Sequence, residues 1–242
     1  MDRGNGALRF PFATWGARFL LRRADLTCAW GAWIEMVELA VTAFVTLFVI
    51  FDPLGNIPIF LAVTPRASAT ERWRIALKAN LIAGVLLLLF AFAGEQFLRA
   101  LNITVPAFRI AGGILLLLLA VEMVFARRSG LRTTTIVEEK EAVQRHDVAV
   151  FPLAVPLIAG PGAMTSMILL MGNAAGRPAE QALVVLVLAL VLVVNFVVLA
   201  GGSRIIAGMG ITGVNVLTRI AGIILTALAV QFIIDGIDAV IV

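Results

Sequence analysis

Cysteine, histidine and charge are all scarce in this sequence, and each scarcity excludes something. A single cysteine, Cys28, leaves no intramolecular disulfide and no cysteine-based metal cluster. A single histidine, His146, rules out a multi-histidine metal centre. Charged residues make up only 14% of the chain and hydrophobic residues 61%, against roughly half apolar in an average soluble domain. With a mean hydropathy of +1.04, the chain is too apolar for a soluble globule and belongs in a lipid bilayer. The sequence contains no Walker A motif, so ATP-driven pumping by this polypeptide is not expected. It offers no nucleophile–base pair and no cluster of acids and histidines, so it is not expected to be an enzyme. No cofactor and no metal are expected. Nor does the isoelectric point near 10.5 indicate nucleic acid, because the basic residues sit in short loops between apolar stretches.

What is present is a series of apolar runs, each near the roughly 20 residues that cross a bilayer. Six spans are expected, at about Glu38–Val63, Ile75–Leu98, Val105–Ala126, Val148–Met171, Ala182–Ala200 and Val216–Val240. Ahead of them, residues 1–35 form a basic lead with Arg3, Arg9, Arg18, Arg22 and Arg23 but no continuous apolar signal-peptide core. It reads either as an interfacial amphipathic helix or as a mistaken start, with Met36 the true first residue. Between spans three and four, residues 127–147 are polar, carry charges of both signs and read as a solvated linker.

The parts on either side of that linker, residues 36–126 and 148–242, read as repeats. Arg109-Ile110-Ala111-Gly112 recurs 110 positions later as Arg219-Ile220-Ala221-Gly222. Ala120-Val121-Glu122-Met123 aligns with Ala229-Val230-Gln231-Phe232 at an offset of 109. Three spans per repeat is an odd number, so the second copy would enter the membrane upside down, an arrangement that recurs in secondary transporters. The expected fold is an all-α membrane protein of six transmembrane helices, built from two inverted three-helix repeats. The loops after spans one, three and five, with nearby helix ends, carry eleven lysines and arginines. The opposite side carries three, the lead apart. Positive charge favours the cytoplasm, so the linker is expected there and both ends of the core outside.

Spans one and four are each interrupted by a proline-glycine cluster, Asp52-Pro53-Leu54-Gly55-Asn56 and Gly160-Pro161-Gly162-Ala163-Met164, at an offset of 108. Asp and Gly suit a helix N-cap and proline suits the first helical position, so each cluster reads as the start of a half-helix within a span. Irregular backbone at that depth is tolerated where it is buried in protein or lines a polar cavity. The exposed N–H groups and partial positive charge of such helix ends suit a carboxylate. The expected donors are the N–H groups of Gly55 and Asn56 in one half and of Gly162 and Ala163 in the other. Asp52 would hold an ammonium group or a proton, or merely cap its half-helix. Asn56, Thr165 and Ser166 would contact a polar ligand, or bond to neighbouring helices. Glu122, an acid inside span three, is a candidate for coupling transport to protons, or a side chain reaching the interface. Asn195 in span five reads as interhelical glue. Gly208-Met209-Gly210-Ile211-Thr212-Gly213 spells a dinucleotide fingerprint without the strand context that would support it, and reads as a flexible loop.

Four stretches carry a family resemblance: Phe51 to Phe60, Ala107 to Leu116, Pro156 to Thr165 and Ala229 to Ile237. They resemble the MarC family, also called UPF0056 or the six-span neutral amino acid transporter family. The resemblance runs from about Met36 to the end and implies a six-span bacterial inner-membrane protein that transports small neutral amino acids such as glycine and alanine. The expected partners are the lipid bilayer and a small zwitterionic solute; the sequence sets no oligomeric state. The alternative reading is an exporter or channel for another small polar solute or for drugs, or a membrane protein without transport of its own.

Overall fold

The computed structural model of the chain describes residues 33–125 and 148–241. Nearly all of the basic lead and the polar linker lie outside these residues. By internal packing the chain divides into a unit ending at Leu39 and a unit beginning at Ala40. Of the first, only Trp33 to Leu39 is described, and it is helical. Apart from the first residues of α1, everything below concerns the second.

Among the described residues the structure is all helical. Helix α1 runs Trp33–Phe51 and α2 Asn56–Val63. They are followed by α3 Ala69–Ala100 and α4 Val105–Phe125. A widened π-type segment, α5, spans Ala149–Ile158 and includes extended backbone at Phe151 and Val155. Then come α6 Pro161–Asn173, α7 Pro178–Ala200 and α8 Gly202–Ile241. Five of these helices are long and apolar enough to cross a membrane, and α5 with α6, bent by 57°, would make a sixth span.

Helix α1 is 19 residues long and ends at Phe51; Asp52 and Pro53 follow it, ahead of α2. One expectation needs correction. The glycine-rich stretch near Gly208 is not a loop. The helix continues through it with a single kink at Gly210, where φ is 71° and ψ 166°. Only glycine adopts that backbone readily, so one residue, not six, carries the change of direction.

Burial follows the logic of a bilayer. The outward faces are the greasiest: Leu81, Val85, Leu89 and Phe92 form an exposed stripe on α3, as Leu186, Leu190, Val193 and Val197 do on α7. The inward face of α3 is lined by small residues, Ala76, Ala79, Ala83, Ala91 and Gly94, which let backbones approach closely where lipid supplies no hydrophobic drive. Gly84 faces Leu192, and Asn195 Nδ2 donates to Asn80 Oδ1 at 2.8 Å, so α3 and α7 pack antiparallel. That bond gives Asn195 the interhelical role read from the sequence, and Asn80 Nδ2 donates in turn to Ala76 O.

Helices α4 and α8 form the most extensive pair, also antiparallel. Gly236 lies against Pro106 and Ile110, Gly113 against Ala229 and Ile233, and Gly222 against Met123 and Val124. The shorter elements cross between the two parts of the chain. Helix α2 rests on α8 and α7, whereas α6 rests on α4 and α3. Each segment that follows a proline-glycine cluster is thus packed on the third long helix of the other part.

Candidate functional site

At the first cluster, α1 ends with the Asp52 N–H donating to Phe48 O at 3.1 Å. Asp52 then turns the chain at φ 42°, a left-handed conformation uncommon outside glycine. Pro53 follows, where its missing N–H costs nothing. The Gly55 N–H donates to Asp52 Oδ1 at 3.1 Å and the Asn56 N–H to Asp52 O at 3.1 Å. These bonds close a turn ahead of the helix. Regular helix begins only at Asn56, with Gly55 at its N-cap and no side chain capping it, so Asp52 does not stand at the N-cap position expected from the sequence. They also spend both donors that the sequence reading reserved for a carboxylate in this half. Asn56 Nδ2 donates back to Phe51 O at 2.7 Å, tying α2 to the end of α1.

The second cluster is different. Gly160 is extended (φ −80°, ψ 171°) and caps α6 without a side chain, Pro161 occupies the first turn, and the Met164 N–H reaches Gly160 O at 3.0 Å. Gly162 and Ala163 line a cavity of about 50 Å³, together with Ile50, Leu115, Leu119 and the stretch Pro156 to Ile158. That is room for a few water molecules. The start of α6 thus opens onto a small, otherwise apolar space.

Ile50 joins the two clusters. It lines this cavity, and its Cγ2 lies 3.7 Å from where a Cβ on Gly162 would stand. The chain reaches Asp52 only two residues later. The same position at Gly162 would meet Leu116 Cδ2 at 2.8 Å, so α4 closes the cavity from another side.

Thr165 and Ser166 are buried on α6. Thr165 packs against α4 so tightly that a Cβ on Gly112 would lie 2.0 Å from its Cγ2, which accounts for a glycine at that place in the repeated motif. Ser166 Oγ and Asn56 Oδ1 are buried without a hydrogen-bond partner, an arrangement rare enough to need a reason. Glu122 is buried on α4, at the level where Gly222 of α8 meets Met123. It is not among the residues around the cavity. Arg109 donates to Asn173 Oδ1 at the far end of α6.

Sequence reasoning missed Thr218. Its Oγ1 is buried without a partner and would lie 2.9 Å from a Cβ on Gly55. The residue stands directly before the repeated Arg219 motif but belongs to the other part of the chain, and no local pattern marks it.

Comparison with known proteins agrees with this architecture. A family profile described as "MarC family integral membrane protein" matches residues 37–241. A UPF0056 membrane protein of Pyrococcus abyssi is 36% identical over 204 residues, covering 84% of this chain and 96% of the relative. The UPF0056 inner membrane protein YhgN of Escherichia coli K12 is 36% identical over 197 residues, covering 81% and 95%. YvbG of Bacillus subtilis, another UPF0056 membrane protein, is 33% identical over 198 residues, covering 82% and 93%. No solved structure matches the chain.

Proposed function

The chain belongs to the MarC family of integral membrane proteins, and on that premise we propose that it is a secondary transporter of small neutral amino acids. One observation carries the reading: the end of α1 and the start of α6, which no side chain caps, meet through Ile50 at a small cavity lined by Gly162 and Ala163. A zwitterion needs few full charges around it, and the first-turn N–H groups of Gly162 and Ala163 suit its carboxylate. Asp52, Gly55, Asn56, Thr165 and Ser166 form the rest of the site, and Glu122 is the candidate for proton coupling. No chemistry on the solute is proposed, so the protein is read as a carrier and not an enzyme.

The inverted-repeat reading supports alternating access. Repeat mates would run antiparallel, as α3 with α7 and α4 with α8 do, and the crossing of α2 to α8 is mirrored by that of α6 to α4. The inner membrane, which the name of the Escherichia coli relative specifies for that protein, is the proposed location, with residues 127–147 cytoplasmic.

Uptake of labelled alanine into proteoliposomes, with and without a pH gradient, tests the proposal. The expected result is saturable uptake that an inward proton gradient accelerates. Uptake no faster than in protein-free liposomes would overturn it.

A further inference from the structure

We propose that the groove between α4 and α8 is a binding site for an anionic phospholipid, with one acyl chain in the groove and the phosphate on Arg219. The groove shares no lining residue with the cavity at the start of α6, and the proposal does not depend on the transport reading.

The groove has a volume of about 580 Å³. Val121, Val124 and Phe125 form its α4 wall, and Ile223, Ala227 and Val230 its α8 wall. Two polar side chains also line it, and both turn their donors to their own helix. Thr226 Oγ1 donates to Gly222 O at 2.8 Å, and Gln231 Nε2 donates to Asp235 Oδ1 at 2.6 Å. What remains is an apolar space, suited to hydrocarbon and not to a polar solute. Eight residues line it, against the roughly 20–30 a side of a standard protein interface. It is a slot for a chain, not a face for a second copy.

Hydrocarbon gains little by leaving bulk lipid for an apolar groove, so the headgroup must supply the preference. Residues 219, 223, 226, 227 and 230 share one face of α8 at helical spacing. Arg219 therefore stands one turn beyond Ile223, in line with the groove. Gly222 meets Met123 and Val124, and α4 ends at Phe125. Arg219 is thus level with the end of a 21-residue span, the depth at which lipid phosphates lie. It is exposed and forms no hydrogen bond or ion pair among the described residues. Its repeat mate Arg109, by contrast, is engaged by Asn173. A guanidinium presents paired N–H donors that match two oxygens of a phosphodiester. A headgroup of net negative charge is favoured over a zwitterionic one, whose own cation offsets the phosphate.

The test uses full-length protein in detergent and three probes: palmitoyl-oleoyl phosphatidylglycerol, the phosphatidylcholine with the same chains, and glycerol 3-phosphate, which has none. Thermal unfolding is followed as each is titrated, and gel filtration reports the oligomeric state. Phosphatidylglycerol should raise the unfolding temperature saturably, with half-saturation about ten-fold below that of phosphatidylcholine. Glycerol 3-phosphate should have no effect. Arg219→Gln should leave the lipid-free unfolding temperature unchanged but remove the preference between the two lipids, and Arg219→Lys should keep part of it. Ala227→Phe, which sets a ring in the groove, should weaken binding of both lipids. A wild type that does not prefer phosphatidylglycerol, or a preference that survives Arg219→Gln, would overturn the site. Unaltered affinities in Ala227→Phe would place the lipids elsewhere and also overturn it. Stabilisation by glycerol 3-phosphate equal to that by phosphatidylglycerol would make Arg219 a site for free phosphate instead. If neither lipid acts on the wild type and Ala227→Phe splits a dimer, the groove is an interface between copies and the lipid site falls. Should Ala227→Phe fail to fold, the Arg219 variants decide the question alone.

Discussion

One substitution separates the two roles considered for Asp52, holding the turn before α2 and holding an ammonium group. In the turn it accepts the Gly55 N–H, and the amide oxygen of asparagine can accept it about as well. Asp52→Asn should therefore change thermal stability by less than about 1 kcal/mol, yet reduce alanine uptake at least ten-fold, because a neutral amide no longer attracts an ammonium group. Unchanged uptake would leave the carboxylate as a support of the turn only. Gly55 is less informative than its sequence suggests. A Cβ there would collide with Asp52 Oδ2 at 2.0 Å, so loss of function in a Gly55 variant reports displacement of Asp52 by the protein's own side chain. Gly112 and Thr165 offer a cleaner test of packing. Gly112→Ala should lower the yield of folded protein through its collision with Thr165 Cγ2. Since serine lacks that methyl group, Gly112→Ala combined with Thr165→Ser should recover most of the loss. Additive effects in gel filtration and thermal unfolding would show that the two sites are not coupled.

Among the helices, α8 is the one whose course depends on a single residue. Gly210→Ala would force a side chain into backbone space that essentially only glycine occupies, at a cost of about 1–3 kcal/mol. A lower unfolding temperature in detergent is expected; an unchanged one would mean that the helix straightens without penalty. Between α3 and α7, Asn195→Leu alone leaves Asn80 Oδ1 without its donor, whereas Asn80→Leu with Asn195→Leu removes both polar groups. The double variant should be less destabilised than the two single effects combined, by about 0.6 kcal/mol or more. At this scale much was legible beforehand. Apolar runs located α4 and α7 to within a few residues and the end of α3 likewise, though α3 begins at Ala69 where Ile75 was expected, and Gly160-Pro161 read correctly as a cap and first turn. The start of α2 was less so, because Asp52 folds back on Gly55 and delays regular helix to Asn56. The kink at Gly210 was hidden among neighbouring glycines that fit an ordinary helix. The place of Thr218 beside the first cluster could not have been found, since its neighbour Gly55 is more than 160 positions away.

For the molecule as a whole, topology is the property most directly open to measurement. Reporter fusions after Arg132 and at Val242 should report opposite sides of the membrane, with the first cytoplasmic. Finding both on one side would remove the inverted arrangement. The crossing of α2 onto α8 also has a consequence for how the protein is made. Gly55 and Ile57 find their neighbours Thr218 and Gly202 on α8, which leaves the ribosome after α7. A nascent chain that has inserted everything through α7 still holds Asp52 and Asn56 without the helix that covers them. Such an intermediate presents polar groups to lipid, the kind of lesion a membrane chaperone or protease recognises, so translation arrested near Ala200 should yield a chain that is degraded quickly. Release into the stable pool then waits on α8.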